Sequence, residues 1–202
     1  MGFPVDLTMT LSGASRSQLA HWRRSGLLQP EVSASRPIEY SFRDIVALRA
    51  VVYLRRQTSL QRVRKAFSTL ERMDLTEHQS AYSLVTDGDT IAVIRNDEAV
   101  DLVRSPGQVV LAPLVDIFRA FDNQRGTRVP DLVNPRPLIQ VREGRLGGWP
   151  TIAGTRLAYD EVALLVADGS VSYERVGDFY PGVSPEAVRD AVEFRRQVRE
   201  AA

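Results

Sequence analysis

Apolar residues recur at helical spacing in four places within the first third of the chain. Leu7 and Leu11 sit four apart, and Leu19 and Trp22 three apart. Ile45, Leu48 and Val52, then Leu60, Val63, Phe67 and Leu70, keep a three-to-four rhythm. That spacing predicts four short helices. Ser15 followed by Gln18 predicts a capping box at the start of the second, and Gly26 predicts its stop. Ser41 with Asp44 marks the start of the third, and the fourth begins near Ser59. Between them the polar QPEVSASRPIEY (29–40) holds two prolines and no helical period, which predicts a loop or a small hairpin.

Past Met73 the pattern changes. AYSLVTDGDTIAVIR (81–95) predicts two strands around an Asp-Gly turn at Asp87–Asp89, and GQVVLAP (107–113) a third strand. LVDIFRAF (114–121) predicts a short helix. NQRGTRVPDLVNPRP (123–137), rich in Pro and Arg, predicts a linker and the best domain boundary. After it an extended stretch leads into three helices near 160–168, 172–179 and 185–199, with Gly169 ending the first and Ser184–Pro185 opening the last. The expected fold class is α+β. Residues 1–75 form a winged helix-turn-helix, 80–122 a small strand-rich segment, 123–137 a linker, and 138–202 a domain of short strands and three helices.

Charge sharpens this division. Residues 1–72 hold 12 cations against five acids (+7) and the remainder 14 against 20 (−6), which together return the chain's net +1. A basic front and an acidic back predict a polyanion-facing module joined to something else. All but one of the 26 cations are arginine, Lys65 being the exception, a bias that fits a GC-rich coding sequence. Cysteine is absent, which removes disulfides and thiolate metal sites. No stretch approaches the ~20 apolar residues of a membrane span, and the N-terminus lacks a signal-peptide run, so a cytoplasmic protein is expected.

The second predicted helix concentrates the front's charge. Ser17, His21 and Arg24 fall at i, i+4 and i+7 and share one face, flanked by Ala20 and Arg23. Leu19 and Trp22 take the other side. Backbone N–H groups near Ser15 and Arg16 stand at the positive helix start, where a phosphate can be met. Arginine suits both tasks of such a face, since it pairs with phosphate and can hold guanine bidentately.

LSGASRSQLAHWRRSGLLQP followed by EYSFRDIVALR closely resembles the DNA-binding domain of MerR-like regulators, whose pattern is roughly L-T-G-V-S-x-x-x-L-x-x-W/Y-x-x-x-G-L-L-x-P, then Y-S-x-x-D-I/L-x-x-L. Leu11, Gly13, Ser15, Leu19, Trp22, Gly26, Leu27, Leu28, Pro30, Tyr40, Ser41, Asp44, Ile45 and Leu48 fall in register. The resemblance covers about 70 residues. It implies that the helix from Ser15 to Arg24 reads DNA and that the loop around Ser33–Arg36 is a wing on the backbone, with Arg36, Tyr40 and Arg43 beside it. The helix from Ser59 is shorter than that family's dimerisation helix, and the wing SASRPIE lacks its usual Gly-Tyr-Arg, so simple DNA binding is what the likeness implies.

Near the other end, GGWPTIAGTR (147–156) has too few glycines at the wrong spacing, and no following Gly-Lys-Ser/Thr, for a phosphate loop. Its glycines and proline predict a bent extended segment with Ile152 and Leu157 inward. With its tail it resembles a small bacterial domain family of unknown function, with signature G-x-P-x-I-x-G-T-R, a helix, then Y-P-x-L/V-x-x-x-x-V. Gly148, Pro150, Ile152, Gly154, Thr155, Arg156, Gly169, Tyr180, Pro181, Val183 and Val188 match. Gly148, Pro150, Gly154, Thr155 and Arg156 are expected to be structural, Arg156 through an ion pair or else by touching a partner.

The pairing of a MerR-like front with this tail is similar to VapB-type antitoxins. That likeness implies neutralisation of a PIN-like ribonuclease toxin and repression of the shared operon. Such toxins cluster carboxylates around a divalent metal, so inserted cations inhibit them, and Arg195, Arg196 and Arg199 on the last helix are the candidates. A solvated helix end is the plainer use of those three. The expected partners are operator DNA, a PIN-like toxin and, because operators are commonly palindromic, a second copy of the chain. A MerR-like regulator with a small-molecule sensor in 80–202, and a protein-interaction module without DNA binding, stand as rivals.

Catalysis is not expected. Only His21 and His78 are present, Asp87 and Asp89 flank a turn glycine, and Asp97, Glu98 and Asp101 read as a solvated acidic edge. No cofactor and no metal is expected.

Overall fold

The structure, a computed structural model, describes residues 2–73, 84–86, 89–95, 98–107, 109–110 and 117–201. Within them the fold is mixed α and β, with seven helices and small antiparallel sheets. Helix α1 (Val5–Ser12) stops at Gly13, and α2 (Arg16–Arg24) starts at once after it. The start is set by side chains. The Ser15 hydroxyl accepts the Gln18 N–H at 3.3 Å, and the Gln18 side chain accepts the Ser15 N–H at 2.8 Å, so two helix-end donors are answered reciprocally. Helix α3 (Phe42–Leu54) repeats the device through Ser41 and Asp44, and the same buried carboxylate also accepts the Glu31 N–H. Helix α4 (Leu60–Arg72) completes the front. The predicted apolar stripes face inward: Leu7, Leu11, Leu19, Trp22, Ile45, Leu48, Val52, Val63, Phe67 and Leu70 are buried, each large side chain contributing roughly 1.5–3 kcal/mol.

The 29–40 stretch is a loop whose end doubles back. Strand β1 (Phe3–Pro4) pairs antiparallel with β2 (Glu39–Tyr40), and Ser33 and Glu39 exchange both backbone hydrogen bonds at 3.0 Å, closing a wing. Beyond α4, β3 (Leu84–Thr86), β4 (Ile91–Arg95), β5 (Glu98–Asp101) and β6 (Val109–Val110) form an antiparallel meander in that order. The 81–95 segment thus pairs as expected where it is described; Asp87, Gly88, Asp97 and His78 lie outside the described residues, as do 111–116.

Asp101 departs from the acidic edge expected of it. It is buried, its carboxylate accepting the Thr90 hydroxyl at 2.5 Å and the N–H groups of Val103, Arg104 and Ser105 at 2.7–3.1 Å. The chain turns sharply there, and the carboxylate replaces the ladder partners those amides lose.

The helix expected over 114–121 is absent from its described part: 117–119 is turn and bend, and strand β7 (Phe121–Asp122) follows. Strand β7 pairs with β8 (Arg128–Val129) as a tight hairpin that occupies much of the Pro/Arg-rich stretch 123–137. Arg49 explains why this segment is seated. Fully buried on α3, its guanidinium donates to the carbonyls of Leu11, Ile117 (2.8 Å), Phe118 (3.4 Å), Arg119 (3.0 Å) and Pro130 (3.0 Å), and lies 5.2 Å from the Phe121 ring centre. One cation thereby ties α1 and α3 to both legs of the hairpin.

The rear half is built on β9 (Ile139–Gln140) paired with β10 (Thr151–Ile152), then α5 (Tyr159–Leu165), α6 (Val176–Phe179) and the long α7 (Pro185–Ala201). Tyr159 and Phe194 meet edge-on at 4.8 Å where α5 lies on α7. Asp190 of α7 accepts Arg136 Nε at 2.9 Å and the Leu138 N–H at 2.8 Å, pinning the entry to β9. Helix α7 also packs against α1, and the buried apolar residues of front and rear form one continuous cluster.

Candidate nucleic-acid interface

Helix α2 separates its faces sharply. Leu19 and Trp22 are 3% and 1% exposed, while Arg16, Ser17, His21 and Arg24 are exposed on the other side. Arg23 is half-buried and turns to the wing, its guanidinium donating to the Ala34 carbonyl at 2.9 Å, and Gln29 Nε2 caps the Arg23 carbonyl at 2.7 Å. The wing is therefore held in place by the helix beside it, and it carries Arg36 exposed at its tip.

Not every expected contact residue faces outward. Tyr40 is only 2% exposed and stands behind the surface, because β2 must bury one side chain to pair with β1. Burial raises its phenol above the usual value, with Arg23 opposing and Asp44 adding to the rise. Arg43 is exposed but engaged, in an ion pair with Glu31 at 2.5 Å that also recruits the Ser41 hydroxyl. These two are placed as support rather than as open donors.

One cation joins the face from elsewhere. Arg64 of α4 lies 3.2 Å from His21 Nε2, and since a guanidinium only donates, the contact uses the imidazole lone pair. The run Arg62-Val63-Arg64-Lys65 carried the signal, because Val63 is in the apolar register and leaves Arg64 and Lys65 on the outer side. What sequence reasoning missed was the 43-residue separation that the packing of α4 closes.

At the rear, the GGWPTIAGTR segment is a seam. Gly148 is buried with φ +86°, and a Cβ there would stand 2.5 Å from the Phe42 ring at the start of α3. Trp149 packs on Phe3 with ring centres 5.5 Å apart and donates to Asp160 at 3.0 Å. Pro150 is buried, and Thr155 ties the turn by donating to the Ile152 carbonyl and accepting the Leu157 N–H, with Gly154 at its apex. Arg156 is exposed and forms no ion pair among the described residues. The carboxylate pairing expected of it is not made, because the turn points it outward.

The three candidate arginines of α7, out of the four it carries, are not equivalent. Arg196 is clamped by Glu193 and Glu200 of its own helix, which hold it firmly protonated. All three line a groove of about 380 Å³ between α5 and α7, together with Ala163, Val166, Tyr173, Val192 and Glu200, and among the described residues only Arg195 and Arg199 of the three reach it without an ion pair on their own helix.

Comparison with known proteins bears on both ends. Residues 9–70 match the family described as MerR HTH family regulatory protein. The front of the chain is a MerR-family helix-turn-helix domain. Residues 139–194 match the family described as Protein of unknown function (DUF433), so a DUF433 domain forms the rear. The match to the MerR-family domain spans the two capping boxes, the wing and α4 as far as Leu70. A crystal structure of Rv2018 from Mycobacterium tuberculosis is similar over 95% of this chain and 99% of that one, with a TM-score of 0.51 at 18% identity, a likeness of fold. Among curated proteins none matches. Among the described residues no helix is long and apolar enough to cross a membrane.

Proposed function

We propose that this chain is a DNA-binding repressor that also serves as an antitoxin, its MerR-like domain docking on operator DNA and its rear domain holding a PIN-like ribonuclease. The exposed, acid-free face of α2 carries the first half of this reading. Ser17, His21 and Arg24 share it, Arg36 extends it along the wing, and Arg64 adds charge from α4. A helix of this width enters a major groove while a wing follows the backbone. Because operators are commonly palindromic, two copies would bind together.

Support for the second half comes from the groove lined by Arg195, Arg196 and Arg199 beside apolar residues, with Glu200 answered by Arg196. A cationic rim suits a partner whose active site gathers carboxylates. The chemistry is binding rather than catalysis, with no cofactor required. Co-expression with the product of the adjacent reading frame tests the antitoxin role. A co-purifying complex and restored growth are expected, and a toxic neighbour that the chain neither binds nor silences refutes it. Gel-shift titration against the segment upstream of the chain's own gene tests repression, with binding that weakens steeply as salt rises.

A further inference from the structure

The geometry points to a second DNA-contacting element, the tip of the β7–β8 hairpin (Asn123–Arg128), which adds Arg125 to the phosphate-facing surface at the start of α2. The inference rests on the reading of α2 as the DNA-facing helix and extends it outside the MerR-like domain.

The tip is fastened to the helix-turn-helix. Asn123 Nδ2 donates to the Gly13 carbonyl at 3.1 Å, in the turn between α1 and α2. Gly13 has φ +76°, and a Cβ there would lie 2.3 Å from Val129, so the hairpin sits directly on that turn. Its legs are gripped by Arg49 through the carbonyls of residues 117–119 and 130.

The tip is also stiff. Asn123 Oδ1 accepts the N–H of Arg125 at 2.9 Å and of Thr127 at 3.0 Å, and Gly126 N–H returns to the Asn123 carbonyl at 2.9 Å. A loop held this way loses little further freedom on binding.

Its chemistry is polar and cationic. Gln124, Arg125, Thr127 and Arg128 are all exposed. Arg125 and Thr127 share a groove of about 360 Å³ with Ser15, the cap of α2, and Arg125 with Gln124 closes a smaller gap against Gln18 and Arg55. Two acids stand nearby and both are answered: Asp122 pairs with Arg128 at 3.4 Å, and Glu200 with Arg196. That leaves Arg125 as a cation to offer at the edge of the α2 surface. A side chain so placed, flanking a reading helix, contacts phosphate rather than base edges.

Fluorescence anisotropy of the full chain on a labelled mixed-sequence duplex of about 30 base pairs tests this, across roughly 50–300 mM salt. Arg125→Ala should weaken binding about five- to tenfold near 100 mM and lower the slope of log K on log salt by ~0.9, the value of one phosphate contact. Arg125→Lys should restore most of both, since any cation serves a phosphate. An unchanged melting temperature for Arg125→Ala shows that the hairpin stays seated. A wild-type slope and affinity in Arg125→Ala, while Arg24→Ala still weakens binding, overturns the hairpin contact and leaves the α2 reading standing. Absence of wild-type binding even at ~50 mM salt overturns both.

Discussion

Helix α2 carries three arginines and no acid in nine residues, whereas α7 sets four arginines among four acids in seventeen. On α7 three of the acids fall three or four positions from their partners, so Glu186 meets Arg189, and Glu193 and Glu200 close on Arg196, while Asp190 holds Arg136. On α2 the half-buried Arg23 spends its donor on a backbone carbonyl of the wing, which leaves its charge unneutralised. Two arginine-bearing helices therefore present two different surfaces. One keeps a positive field that a polyanion can feel; the other is self-compensated except at Arg195 and Arg199. Counting cations along a sequence does not distinguish them, but counting acids at helical spacing does.

Both faces belong to one body only if the seams between front and rear hold, and breaking those seams is the severest test. Arg49→Met strips a buried cation from five carbonyls and should destabilise the fold by about 3–5 kcal/mol, read as a shift in urea midpoint. A single cooperative transition is expected in the wild type, since the apolar core is continuous from α1 to α7. Gly148→Ala should cost about 2–3 kcal/mol, because it combines a φ of +86° with a Cβ placed in the Phe42 ring. Two well-separated transitions in the wild type would show instead that the two arginine faces ride on independent units.

Acid should expose a charge held by dipoles instead of counter-ions. Burial pushes the Asp101 carboxyl up, but the Thr90 hydroxyl and the amides of Val103, Ser105 and Arg104 outweigh it and hold the group below its ordinary value. The unfolded chain then binds its proton first as pH falls. Asp101 contributes its full stability above about pH 5 and loses it as pH drops through ~3.9 toward the folded value. Urea midpoints of wild type should fall between pH 6 and 3, and Asp101→Asn should flatten that fall while starting lower. An identical acid slope in the variant removes Asp101 from the account.

The smallest effects bear most directly on the two helices. Arg24→Ala should weaken duplex binding about threefold to tenfold and lower the salt slope by ~0.9. Arg196→Ala should leave the urea midpoint where it was and weaken DNA binding less than Arg24→Ala does, since it removes a charge already answered by two exposed carboxylates. Equal losses from the two substitutions would erase the distinction between the faces.

Much of the front was legible because its determinants are local. The Ser15–Gln18 and Ser41–Asp44 boxes, the stop at Gly26 and the three-to-four apolar rhythm all act within one or two turns of chain. In the rear half α7 followed for the same reason, beginning at Pro185 as its Ser184–Pro185 start implied, whereas α5 ends at Leu165, short of Gly169, and only Val176–Phe179 of the helix expected over 172–179 is α-helical. Long-range partners stayed hidden. Arg49 sits in an apolar helical run and reads as a lone surface cation until the 117–130 carbonyls arrive some 70 residues later. Residues 123–128 have linker composition, yet Asn123 and Val129 anchor them to Gly13. Tyr40 and Asp101 were likewise misplaced, since a two-residue strand pairing and a four-donor cradle leave no periodic trace.

The last turn of α7 forms a wall of two grooves at once. Glu200 lines both the cleft shared with Ser15 and Arg125 and the one floored by Tyr173 and Val192. The same backbone turn carries both flanks. A guest that displaced this turn would change the lining of the opposite cleft as well, and the thermodynamic cycle would make that influence equal in both directions. Titrating one occupant with the other already bound measures the shared term, whichever of the two is added first.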